Sequence, residues 1–178
     1  EQNPTRQIFG AGSNDSWHSG YCICEDCRGW DHPEGERMTL SWQGVGQQYV
    51  AMSDRQVNFA NVLADRLKER FPDRELYVGI LAYGSSRPPP VEAVPADNVI
   101  VAGVHSLHRR KSPDHRPDFI GWAEVTKTFA WRPNLGTALH HPGLAHVSPT
   151  ELMNDFRMVA KYNVIGINFD TVWEHWAT

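Results

Sequence analysis

Short apolar runs alternate with segments of helical periodicity along this chain, and that alternation narrows the fold more than any other feature. The runs cover residues 6–12, 75–82, 98–104, 128–131 and 164–169, and most end at polar or Gly- and Pro-containing turns, as buried strands do. Between the first two, Val57, Ala60, Leu63, Ala64, Leu67 and Phe71 recur at helical spacing. Ser53-x-x-Gln56 has the form of a capping box there, and Pro72 stops the segment. A shorter helix is predicted over 119–127, with Phe119, Trp122 and Val125 on one face. Ser148-Pro149-Thr150-Glu151 joins an N-cap, a proline at the first helical position and a capping glutamate, which predicts a helix running to Tyr162.

Strands that alternate with helices form a parallel sheet covered by those helices, so the fold class is α/β. No Gly-rich phosphate turn follows any strand, which argues against a nucleotide-binding doubly wound sheet. The expected architecture is a partial (β/α)8 TIM-type barrel with parallel strands. Such barrels run to about 250 residues. The 178 residues are therefore expected to form one βα-repeat segment, the C-terminal part of a larger barrel, with a long Cys- and Trp-rich loop over 14–52.

Charge excludes two classes of partner. Seventeen basic and twenty-one acidic residues give a net charge of -4, with no basic stripe, so the balance does not favour nucleic acid. The short cluster His108-Arg109-Arg110-Lys111, broken by Pro113, reads as a solvated loop. No apolar run approaches the roughly 18 residues of a membrane span. Seven Trp and five Tyr in a hydrophilic chain instead suit a carbohydrate ligand, because flat apolar rings with a polar edge line sugar-binding grooves.

In a parallel α/β sheet, function gathers at the carboxyl ends of the strands. The residues there combine carboxylates, amides and aromatics, the mixture that glycoside hydrolysis needs: one carboxyl to protonate the leaving oxygen, another group to act at the anomeric carbon, and platforms for the ring. Asp15, Asp170 and Glu174 are the catalytic candidates. Asn14, Trp17, Tyr83, His105, Trp131, Arg132, Asn134 and Trp173 are the substrate-binding candidates. No cofactor is required for that chemistry. Cys22-x-Cys24-x-x-Cys27, with His18 four residues before, admits three states: a structural Cys₃His zinc site, a disulfide with one thiol left over, or reduced packed thiols.

An ordered set of motifs runs through nearly the whole chain. Ser13-Asn14-Asp15-Ser16-Trp17 leads to the three cysteines; Ser53-Asp54-Arg55, Phe59-Ala60-Asn61 and Phe71-Pro72-Asp73 follow; then come Leu81-Ala82-Tyr83, Pro88-Pro89-Pro90, Asn98-Val99 and Gly121-Trp122. This set resembles the bacterial domain of unknown function 4838, a group associated with glycoside hydrolase family 163. The resemblance implies a barrel catalytic domain and an endo-β-N-acetylglucosaminidase activity on N-glycans, with retention through the substrate's acetamide. It further implies a secreted, periplasmic or cell-surface location and an oligosaccharide or glycoprotein glycan as partner. Two departures stand out: Trp131-Arg132-Pro133 replaces an expected Trp-Asp-Tyr, and the last strand ends in Asp170 where a Glu-bearing ending is expected. A non-catalytic carbohydrate-binding barrel that has lost part of its site is the alternative.

Overall fold

A computed structural model of the protein describes residues 5–12, 21–42, 45–107, 114–133 and 149–168. In chain order these form β1 (Ile8–Gly10), α1 (Glu25–Arg28), β2 (Arg37–Trp42), β3 (Val45–Val50), α2 (Ser53–Arg70), β4 (Tyr77–Ala82), a 3₁₀ turn (Gly84–Ser86), β5 (Val99–Gly103), α3 (Arg116–Val125), β6 (Phe129–Trp131), α4 (Pro149–Val159) and β7 (Val164–Ile167). One sheet takes the order β1-β4-β5-β6-β7, and every neighbouring pair is parallel. The expected strands are all present as parallel neighbours, and the fold is α/β.

Sidedness follows from register. Alternate residues of a strand share a face, and pairing sets Val78, Ile80 and Ala82 of β4 beside Val99, Val101 and Gly103 of β5. Phe129 and Trp131 of β6 continue that row. On it lie Val57, Ala60 and Ala64 of α2, Phe119 and Trp122 of α3 and Val159 of α4, in one continuous core. Phe119 stands at its centre, edge-on to Trp131 and Tyr162 and tilted against Phe129 at 5.2 Å. The three long helices thus cover the same face. Right-handed crossovers between strands taken in sequence order bring each helix to one side. The opposite face carries Ile8, Gly79, Leu81, Ile100, Ala102 and Ala130, all exposed or half-buried.

Two sequence expectations change. The segment over 14–52 is not simply a loop: it holds α1 and an antiparallel hairpin whose register runs from Arg37 opposite Val50 to Trp42 opposite Val45. Ser53 is not an N-cap. The cap position is Met52, and the Ser53 hydroxyl donates across the fold to the Pro88 carbonyl. β4 and β5 are parallel and joined without an α-helix: residues 83–98 connect them through the 3₁₀ turn and otherwise irregular chain. Ser148 and the basic run 108–111 lie outside the described residues.

Candidate functional site

The helix-free crossover dictates much of the local architecture. Irregular backbone packed on a protein surface needs partners for its N–H and C=O groups, and α2 supplies several of them. Asp54, almost wholly buried, accepts the Val91 N–H at 3.0 Å through Oδ2, and those of Glu92 and Ala93 at 2.9 and 2.8 Å through Oδ1. About two turns further along α2, Asn61 Nδ2 donates to the Val94 carbonyl at 3.0 Å while its Oδ1 accepts the Ala96 N–H at 2.8 Å. Asn98 closes the segment by donating to the Ala64 carbonyl at 3.1 Å. On the other flank α3 approaches so closely that a Cβ on Gly121 would stand 2.6 Å from Pro89 Cγ. Ser53, Asp54, Asn61, the three prolines, Asn98 and Gly121 therefore hold the crossover in place.

What the crossover presents is Arg87. Its Nε donates to Asp118 Oδ2 at 2.7 Å and its Nη2 to Glu36 Oε1 at 3.3 Å, so one guanidinium bridges two carboxylates from different parts of the chain. The Arg87 carbonyl is fixed from below by the Trp122 indole N–H at 2.9 Å. Asp118 sits in the first turn of α3, mostly buried. Burial raises its carboxyl above the ordinary carboxylate range, Arg87 opposes that shift, and Glu36 adds to it. Tyr49, on β3, is likewise pushed up by burial and feels both Tyr21 and Arg87. Ser85 in the 3₁₀ turn donates to the Tyr21 hydroxyl at 2.9 Å. Carboxylates, phenols and a guanidinium thus meet beyond the carboxyl end of β4. Such a set can recognise a polar ligand by hydrogen bonds, and it sets the Asp118 carboxyl above the ordinary carboxylate range.

The expected site residues divide sharply. Tyr83 is at the end of β4 as expected, half-buried in extended conformation, and its carbonyl accepts from the backbone and hydroxyl of Ser86. Arg132 follows β6, half-buried, with its backbone N–H on the Gly103 carbonyl at 2.9 Å. His105 and Trp131 differ from expectation: both are completely buried. The Trp131 indole N–H donates to the His105 carbonyl at 2.9 Å, and its ring packs edge-on against Phe156, so it offers no face to a sugar. His105 is a core residue whose Nε2 lies 3.3 Å from the Arg87 carbonyl, and burial drives its pKa down to about 4. Its strand-end position reads like a site, but beyond β5 the chain stays in the core, with Val104 and Leu107 buried on either side. Asn14, Asp15, Trp17, His18, Asn134, Asp170, Trp173 and Glu174 lie outside the described residues.

Arg87, Asp118, Glu36, Tyr21 and Tyr49 escaped the sequence reading. Asp118 carried a signal, an acidic residue one position before the predicted start of a helix. Glu36 and Tyr49 carried none, because their place depends on the hairpin.

The cysteines do gather. Cys22, Cys24 and Cys27 are unbonded, and their sulfurs all lie within 4.8 Å of one another, a group able to hold a metal ion. Cys24 is pulled down to about 7, chiefly by the Cys27 backbone N–H and then by the Cys22 thiol, while Cys27 is pushed up to about 11 by its two thiol neighbours. The directions are those of a cluster sharing one charge, so they belong to the group of thiols together.

No helix among the described residues is long and apolar enough to cross a membrane. Neither the curated proteins nor the solved structures give a match to this chain. The model of the family described as domain of unknown function DUF4838 matches residues 1–178, the whole sequence, and the chain belongs to that family.

Proposed function

We propose that the chain is part of a (β/α)8-barrel glycoside hydrolase that acts outside the cell or at its surface on glycans containing N-acetylglucosamine, by a substrate-assisted retaining route. The observation that supports this most is the pairing of Glu36 and Asp118 on Arg87, beside Tyr21 and Tyr49, beyond the carboxyl end of a parallel strand. Barrel enzymes work at that end, and glycoside hydrolysis uses two carboxyl groups whose surroundings set their pKa values apart, as burial does in raising Asp118. Sidedness supports the barrel itself: a parallel sheet needs both faces covered, three helices take one face, and closure of the sheet would cover the other. Asp15, Asp170 and Glu174 remain the proposed catalytic carboxylates within this reading, with Asn14, Trp17, Asn134 and Trp173 as proposed sugar contacts. Zinc is the proposed occupant of the cysteine loop, with His18 as its fourth ligand, since thiolate and imidazole donors suit that ion.

Turnover of an N-glycan with an intact chitobiose core tests the proposal. Asp118→Asn and Asp15→Asn should each lower turnover by about 10²–10⁴-fold, the contribution of one positioned proton-transfer group, while leaving the melting temperature close to that of the parent. A folded parent that neither cleaves nor binds such glycans overturns it. Binding without cleavage selects the non-catalytic carbohydrate-binding barrel, which the neutralisation of both carboxylates by Arg87 favours.

A further inference from the structure

The loop between residues 21 and 31 lacks the usual reasons for holding a shape. Its only helix, α1, is four residues long and buries none of them, and Ile23 and Trp30 remain largely exposed. A single helical turn is unstable in water on its own. The loop nevertheless makes specific contacts on both sides. The Cys22 carbonyl accepts from Arg55 Nη1 at 2.9 Å, and the same guanidinium donates to both oxygens of Asp31 at 2.8 and 2.5 Å. Arg55 stands in the first turn of α2, so one side chain there ties the start of the loop to its end. The preceding residue, Tyr21, accepts from Ser85 beside Arg87.

Three sulfurs occupy the middle of this loop. Cys22 Sγ and Cys24 Sγ are 3.3 Å apart, and all three sulfurs fall within 4.8 Å. Around a tetrahedral zinc ion with bonds of about 2.3 Å, sulfurs are separated by roughly 3.8 Å, so the observed group needs only small side-chain movements to accept one. A cross-link at this point would provide what hydrophobic burial does not.

We propose that Cys22, Cys24 and Cys27 bind one zinc ion, and that the loop so closed is a clasp, seating Tyr21 on the Gly84–Ser86 turn and Arg55 between Cys22 and Asp31. The inference rests on the structural-zinc reading given above and adds what the ion is for: it positions the wall of the Arg87 site. Metal binding displaces thiol protons to solvent and transfers no electrons, so no oxidant is involved.

Metal content of the reduced full chain by mass spectrometry, cobalt(II) titration and hydrogen exchange before and after chelation provide the test. One zinc ion per chain is expected, with a tetrahedral cobalt–thiolate absorption spectrum, and both should vanish in the Cys24→Ser, Cys27→Ser double variant. Chelation should raise exchange by about tenfold or more over residues 22–31 and 84–87 and leave the β5 amides unchanged, which also shows that the fold survives. Absence of zinc and of the cobalt spectrum overturns the site, as does equal metal binding by the double variant. Metal loss that leaves exchange over 84–87 unchanged overturns the clasp. None of these readouts is turnover, so failure of the hydrolase proposal would be seen separately.

Discussion

Asp54 offers the sharpest test of how the crossover is held. Its carboxylate accepts three consecutive backbone N–H groups, one on Oδ2 and two on Oδ1. Asp54→Ala removes all three acceptors. A buried donor left unsatisfied costs about 1–3 kcal/mol, but Val91 and Glu92 lie in exposed positions where water can reach their amides, while Ala93 is half-buried. The loss should therefore be about 3 kcal/mol, well short of three full penalties. Asp54→Asn keeps Oδ1 and so the bonds to Glu92 and Ala93, and turns an amide NH₂ towards the Val91 N–H, a donor facing a donor. That variant should lose about 1–2 kcal/mol. Equilibrium urea unfolding with a common slope measures both. In a chain of this size 1 kcal/mol moves the melting temperature by about 2–4 °C, so the alanine variant should melt roughly 6–12 °C lower. Hydrogen exchange localises the effect: amides of residues 91–93 should lose protection before those of β5. An alanine variant within about 0.5 kcal/mol of the parent, or one destabilised no more than the asparagine variant, would refute this account of the crossover.

Two further outcomes follow from the core. The fold favours neutral His105, whose pKa is lowered from 6.5 to about 4 by burial, so its contribution is complete above pH 6.5 and is lost as pH falls towards 4. That window corresponds to about 2–3 kcal/mol. The unfolding free energies of the parent and His105→Gln should converge by that amount between pH 7 and pH 4.5, and a constant gap would contradict it. Gly103→Ala would place a methyl 2.5 Å from Phe129 Cζ and 2.6 Å from His105 Nδ1, inside a fully buried cluster. Overpacking of this kind costs about 1–3 kcal/mol, and Phe129→Leu introduced beside it should recover part of the loss in a double-mutant cycle. Strict additivity of the two changes would show that the methyl and the ring do not meet.

Periodicity made the sheet legible. Residues such as Val78, Ile80 and Ala82, or Val99 and Val101, are apolar because both their strands and the helices above them exclude water, and that requirement is local enough to read directly. The hairpin was harder. Met38, Leu40 and Trp42 do alternate with polar residues, but glycines, charges and the nearby cysteines give the surrounding segment the composition of a loop. Ser53 misled for a physical reason: a serine before a helix serves equally as a cap or as a donor to another segment, and only the position of Pro88, thirty-five residues later, decides between them. His105 and Trp131 were misplaced because a strand's end in sequence need not be the sheet's edge in space. Arg87 was invisible because its partners Glu36 and Asp118 are distant along the chain.

The motif residues and the candidate site therefore answer different questions. Ser53, Asp54, Asn61, Asn98, Gly121 and Trp122 make a long parallel crossover feasible without a helix, by satisfying its backbone and by letting α3 approach. These contacts hold the crossover whatever chemistry the chain performs, so they bear on the scaffold and not on an activity. Chemistry enters only through what the scaffold carries. Here that is Arg87, whose carbonyl is anchored by Trp122 while its guanidinium reaches Glu36 and Asp118. Because anchor and ion pairs belong to one residue, loosening the crossover should disturb the carboxylate pair as well. Asp54→Asn, which touches neither carboxylate, should then move the Asp118 titration, measured by carbon-13 NMR of its carboxyl, further above the ordinary carboxylate range, because the Arg87 guanidinium that holds it down is displaced. An unshifted Asp118 in a crossover shown by exchange to be loosened would mean that the charged cluster is held by the hairpin and α3 alone.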